Sequence, residues 1–105
     1  MIRSVEFLPE ARQEMADAFW WYENRRSGLG SAFLLAMEAA LRAIRRVPEG
    51  LELIAMNTRK VVIRRFPYLL FYVVEGSRIL VTGVFHARRN PRDRSDRVRE
   101  LVLAQ

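Results

Sequence analysis

The sequence predicts an α+β fold in the order β-α-α-β-β-β, with a helical hairpin packed on a small, mostly antiparallel sheet. Three observations carry this expectation. Two stretches of helical apolar periodicity are separated by a glycine-containing turn, "RRSGLGS" (25–31). In the second half, "RKVVIRRF", "YLLFYVVE" and "RILVTGVFH" are rich in β-branched and aromatic residues, as strands are. Hairpin-length connections join these runs, which favours antiparallel neighbours. No repeat or long linker divides the chain, so residues 1–105 read as a single domain.

Taken in order, "IRSVEFL" (2–8) places Val5 and Phe7 on one side of a period-two pattern and reads as a short first strand. Pro9 suits the first turn of a helix, with Glu10 and Glu14 near its positive end. To about Arg26, Ala11, Met15, Ala18, Phe19 and Tyr22 form one apolar stripe. Trp20 points away from it. A second helix is expected from about Ser31, with Phe33, Met37, Leu41 and Ile44 as its stripe and Leu34 on the flank. The interleaved Ala36, Ala39, Ala40 and Ala43 would let the first helix approach closely. Arg45 and Arg46 suit the negative end, and Pro48 stops the helix. "LELIAM" (51–56) is a poor strand. The "YLLFYVVE" run is apolar on both faces, as a covered central strand would be, and "EGS" (75–77) reads as the hairpin turn after it. Arg64 and Arg65, read as strand residues, would alternate between the two faces. Tyr68 and Tyr72 would share one face, in the core. After Pro91 the pattern allows a short C-terminal helix capped at Asp93 or Ser95.

Composition excludes several chemistries. The chain has no cysteine and one histidine, so it offers no disulfide, no thiolate nucleophile and a poor transition-metal site. Nothing in it implies a cofactor. No apolar run approaches the roughly 20 residues that cross a bilayer, and the N-terminus lacks a signal-peptide h-region. A cytoplasmic protein without membrane association is expected.

Charge is unevenly placed. Residues 1–58 carry 7 basic and 8 acidic side chains, while residues 59–105 carry 11 and 4. All but one of the basic residues are arginine, whose planar fork suits phosphate and carboxylate groups. Five arginines (Arg88, Arg89, Arg92, Arg94 and Arg97) follow the lone His86, and Asn90-Pro91 would hold the first two at the end of the sheet. A polyanion or an acidic protein face is the partner such a cluster fits.

Three segments in order carry a family resemblance: "EARQEMADAFWWYENRRSGLGSAF", the second helix ending at "VPEG", and "RRFPYLLFYVVEGSRILVTGVFHARRNP". Together they resemble the ParE/RelE superfamily of toxins from type II toxin–antitoxin modules, the plasmid-stabilisation type. The resemblance implies a cognate antitoxin with an acidic, amphipathic C-terminal segment. It also implies one of two targets. RelE-like members are ribosome-dependent mRNA endonucleases that set basic residues on adjacent strands around the scissile phosphate. ParE-like members bind and poison DNA gyrase and lack a nuclease site.

Carried onto this chain, the nuclease pattern is incomplete. Lys60, Arg64, His86 and Arg88 would be its residues, giving a metal-independent endoribonuclease. Leu69 stands where the nuclease has an arginine between two aromatics, and no tyrosine follows Tyr72. Cleavage by a 2′-hydroxyl needs a group that moves a proton as well as cations, and His86 alone titrates near neutrality. The expectation is therefore a ParE-like gyrase inhibitor without catalytic residues. Its candidate contacts to target or antitoxin are Trp20, Arg64, Arg65, Arg88, Arg89 and Arg92. The alternatives are the ribosome-dependent mRNA nuclease and a non-toxic relic that only binds antitoxin. Homo-oligomerisation is left open.

Overall fold

The computed structural model describes residues 4–88, 92 and 95–99. Strand β1 (Ser4–Phe7) is followed by helices α1 (Pro9–Arg25) and α2 (Leu29–Arg46). Four strands follow: β2 (Leu53–Ala55), β3 (Thr58–Ile63), β4 (Tyr68–Glu75) and β5 (Arg78–His86). A short C-terminal helical stretch includes residues 95–99. The sheet order is β1-β5-β4-β3-β2. All pairings are antiparallel except β1 with β5, which is parallel with Ser4 opposite Arg78 and Phe7 opposite Val81. The predicted architecture is present, with β2 adding one strand to the order.

Pro9 opens α1 at the position where a missing N–H costs nothing, with Glu10 in the first turn and Arg25 in the last. Ala11, Ala18 and Tyr22 are its buried residues. The second helix starts two residues earlier than its sequence suggests, and the cause lies in α1. Gly28 adopts φ 91°, which reverses the chain. The Glu23 carboxylate then accepts the N–H groups of Gly28 and Gly30, each at 3.0 Å. This satisfies donors that a helix start otherwise leaves orphaned. The buried face of α2 is Phe33, Met37, Ala40 and Ile44, with Leu41 only half-buried.

The expected role of the alanines is corrected. Ala36, Ala39, Ala40 and Ala43 face a groove against β3. The close approach of α1 and α2 occurs at Gly30, where a Cβ would lie 2.7 Å from the Phe19 carbonyl oxygen.

The helix-facing side of the sheet is Ile63, Tyr68, Leu70, Tyr72, Ile79 and Val81, all buried against the hairpin. Each fully buried aliphatic or aromatic side chain contributes about 1.5–3 kcal/mol relative to exposure. Tyr22, Phe33, Phe66 and Tyr68 form a ring cluster with centroids 4.8 to 6.1 Å apart. A two-residue turn with Gly76 at φ 59° joins β4 to β5. Opposite the step from Phe71 to Tyr72, β5 carries Thr82 as an extra residue.

The Tyr72 hydroxyl donates to the Pro48 carbonyl oxygen at 2.7 Å and fastens the loop after α2 to the sheet. Burial raises the Tyr72 phenol above its ordinary pKa, opposed in part by the nearby Arg59 guanidinium. A raised acid pKa means the folded state holds the proton more tightly than the unfolded chain does. Its contribution is therefore complete below about pH 10, the unfolded value, and is lost as pH rises above it. Tyr72→Phe is expected to cost about 1 kcal/mol at pH 8 by removing the hydrogen bond. That deficit should shrink by pH 11 in urea denaturation. A deficit that stays constant across this range would remove Tyr72 from the alkaline limb.

Candidate functional site

The end of the sheet where β3 turns into β4 meets the end of β5. Residues 64–67 form the turn, and the Ala87 N–H donates to the Pro67 carbonyl oxygen at 2.6 Å. Phe66 anchors the turn in the ring cluster, 4.8 Å from Tyr22 and 5.4 Å from Phe33. Arg64 and Arg65 are both exposed, but β3 has ended at Ile63. The expectation that they alternate across a strand is thereby corrected: turn geometry sets their directions. Arg65 has φ 71°, a left-handed conformation that an arginine adopts only when its surroundings impose it. Arg88 is exposed just beyond β5, and its N–H donates to His86 Nδ1 at 3.1 Å.

His86 pairs across the ladder with Tyr68, and their rings are 5.3 Å apart, edge to face. Tyr68 also touches Tyr22 and Phe33, so this is the helix-facing side of the sheet. Lys60 pairs with Phe71, which pairs with Gly83, and these occupy the other side. Its Nζ lies 3.6 Å from a Glu52 carboxylate oxygen. Lys60 and His86 are therefore separated by the sheet itself. Leu69, which stands in the place of the nuclease arginine, shares the Lys60 side and lies in a row with Val62 and Phe85. This face is apolar around Lys60, and Phe71 and Phe85 are buried in it with ring centroids 5.4 Å apart. Among the described residues no group of three His, Cys, Asp or Glu side chains could hold a metal ion. No described helix is long and apolar enough to cross a membrane.

Arg64 also lines a groove of about 180 Å³ between α2 and β3, with Ala36, Ala39, Ala40, Ala43, Val61 and Val62. Strand β2 pairs only with Thr58 and Arg59, so the later part of β3 lies beyond its reach. Val62 is 59% exposed there.

Trp20 is 58% exposed and meets Phe19 edge-on at 4.8 Å. Arg92 is helical and exposed, and Arg89 lies outside the described residues. Two further arginines at this end are not among the residues the sequence singles out. Arg25 stacks over the Trp21 ring at 4.0 Å, and Arg26 follows it, one turn beyond the Tyr22 that touches Phe66. The pair "RR" before "SG" is plain in the sequence, but nothing local ties it to residues 64–67.

The family model for the ParE toxin of the type II toxin–antitoxin system, parDE, matches residues 5–91. No curated protein matches the chain. Among solved structures, the chain resembles one described as the chromosomal ParDE toxin–antitoxin system from P. aeruginosa. That match has a TM-score of 0.62 and 13% identity, over 83% of this chain and 98% of that one. It also resembles a doubly substituted variant of the E. coli toxin RelE in the free state. Here the TM-score is 0.70 and the identity 22%, over 95% of this chain and 98% of that one.

Proposed function

Because the chain belongs to the ParE toxin family of type II toxin–antitoxin systems, we propose that it arrests growth by binding DNA gyrase, without catalysis of its own. The observation that supports this reading is the separation of Lys60 and His86 on opposite faces of the sheet. A general base and a cation must reach the same phosphate to cleave RNA. Here His86 is engaged with Tyr68 and the Arg88 N–H, where it orders the end of β5.

The toxin acts in the cytoplasm and is neutralised by a cognate antitoxin. The α2/β3 groove suits that antitoxin's amphipathic segment. Alanines let a backbone approach, Val61 meets its apolar side chains, Val62 lines the edge of β3 beside it, and Arg64 meets a carboxylate at the rim.

Pulse-labelling of DNA and protein synthesis, minutes after induction of this chain alone, tests the reading. DNA synthesis is expected to stop first, and His86→Gln and Lys60→Ala should arrest growth as wild type does. Translation stopping first, with arrest abolished in both variants, would establish the ribosome-dependent nuclease instead. No growth effect at all would mark an antitoxin-binding relic.

A further inference from the structure

We propose that the basic end of the molecule binds the phosphate backbone of duplex DNA. Three separate segments converge there: Arg25 and Arg26 at the C-terminal end of α1, Arg64 and Arg65 in the β3–β4 turn, and Arg88 beyond β5. The Tyr22–Phe66 ring contact and the Ala87–Pro67 hydrogen bond hold the segments together. None of the five guanidinium groups forms an ion pair among the described residues. The neighbouring acidic residue, Glu23, has its carboxylate turned onto the N–H groups of Gly28 and Gly30. The helix start it serves adds positive potential of its own.

Two features favour a duplex over a single strand. Single-strand binding draws on free aromatic faces on which bases stack. At this end Tyr22, Phe66 and Tyr68 are buried, Arg25 covers one face of the partly exposed Trp21, and the exposed Trp20 projects from the side of α1 opposite Tyr22. The exposed guanidinium groups of Arg64, Arg65 and Arg88 suit phosphate oxygens, contacts that position a protein on a duplex without reading its sequence. Stacking on Trp21 fixes the Arg25 fork while leaving its N–H edges outward. The left-handed backbone of Arg65 fixes where its exposed side chain leaves the β3–β4 turn.

The inference adds to the gyrase reading, since a gyrase poison meets its target on DNA, but it stands on this surface and is tested without gyrase. Fluorescence anisotropy would use the purified chain and a short fluorescein-labelled duplex of mixed sequence. Wild type is expected to bind with an affinity that falls steeply with salt. The Arg25→Gln/Arg65→Gln/Arg88→Gln variant should bind at least tenfold more weakly. Its slope of log affinity against log salt should be flatter by about 0.9 for each phosphate that it no longer neutralises. The control is Arg42→Gln/Arg45→Gln/Arg46→Gln, which removes the same charge from exposed positions roughly 20 Å or more along α2. It should bind nearly as wild type does, and thermal melts would confirm that both variants fold.

Equal weakening in the two variants, tighter binding of the unpaired strand or of polyglutamate, or no binding by wild type at low salt would each overturn the proposal. Arrest of DNA synthesis by a chain that ignores the duplex would defeat this inference alone. Duplex binding by a chain that halts translation would defeat the gyrase reading alone.

Discussion

Gly30→Ala is expected to lower stability by about 2 kcal/mol, roughly 10 °C in Tm for a domain of this size. The helix itself would welcome alanine, by up to about 1 kcal/mol. The interhelical contact reverses that sign. A Cβ at residue 30 would lie 2.7 Å from the Phe19 carbonyl oxygen and 2.9 Å from two of its ring carbons. The oxygen belongs to the backbone of α1, so no rotamer change removes it, and the helices must part. Parting them also draws Gly30 away from the Glu23 carboxylate and loosens Phe33 in the ring cluster. Gly28→Ala provides the comparison. Its Cβ would meet nothing within 4 Å, so only the left-handed backbone opposes it, at about 1–2 kcal/mol. Thermal denaturation of both variants checks the assignment. A neutral or stabilised Gly30→Ala would mean that the hairpin tolerates wider spacing.

Such contacts explain which parts of the fold are legible in the sequence. The exposure of Trp20 follows from its angle to the Ala11–Tyr22 stripe, because helical periodicity is local. The burial of β4 on both faces follows from an unbroken apolar run. Position 29 as the start of α2 is not readable, because its cap is a glutamate six residues upstream on another helix. The alanine stripe announces close approach without saying of what. It faces the α2/β3 groove, and one glycine makes the helix–helix contact. Of the candidate site residues, Arg64, Arg65 and Arg88 share one end of the sheet. Lys60 and His86 do not converge, because register decides the face and one extra residue in β5 shifts that register. Arg25 and Arg26 are hidden from a sequence reading because tertiary packing, not sequence distance, carries them to the same end.

The longest-range of these devices, Glu14 with Arg97, supports the second large effect. Strand β1 spans four residues and β5 nine, and their pairing ends at Val81, so among the described residues the outer edge of β5 beyond Val81 has no strand beside it. Bare edge groups invite pairing with another chain. Here side chains take the place of the missing strand. Glu14 of α1 accepts the Val84 N–H at 3.1 Å, and Arg97 donates to the Thr82 carbonyl oxygen at 3.0 Å. The two join each other at 3.0 Å, and the guanidinium lies 5.2 Å above the Phe85 ring. Their side chains are only 22% and 19% exposed, so solvent screens the pair far less than a surface ion pair. Glu14→Ala should therefore cost about 2–3 kcal/mol, because it orphans both a backbone donor and a half-buried cation. Glu14→Gln keeps an acceptor for Val84 and should recover part of that stability. The decisive measurement is a double-mutant cycle of Glu14→Ala with Arg97→Ala by urea denaturation, with a coupling energy of about 1–2 kcal/mol expected. Strict additivity would mean that Glu14 closes the β5 edge alone and that the C-terminal helix is held by other contacts.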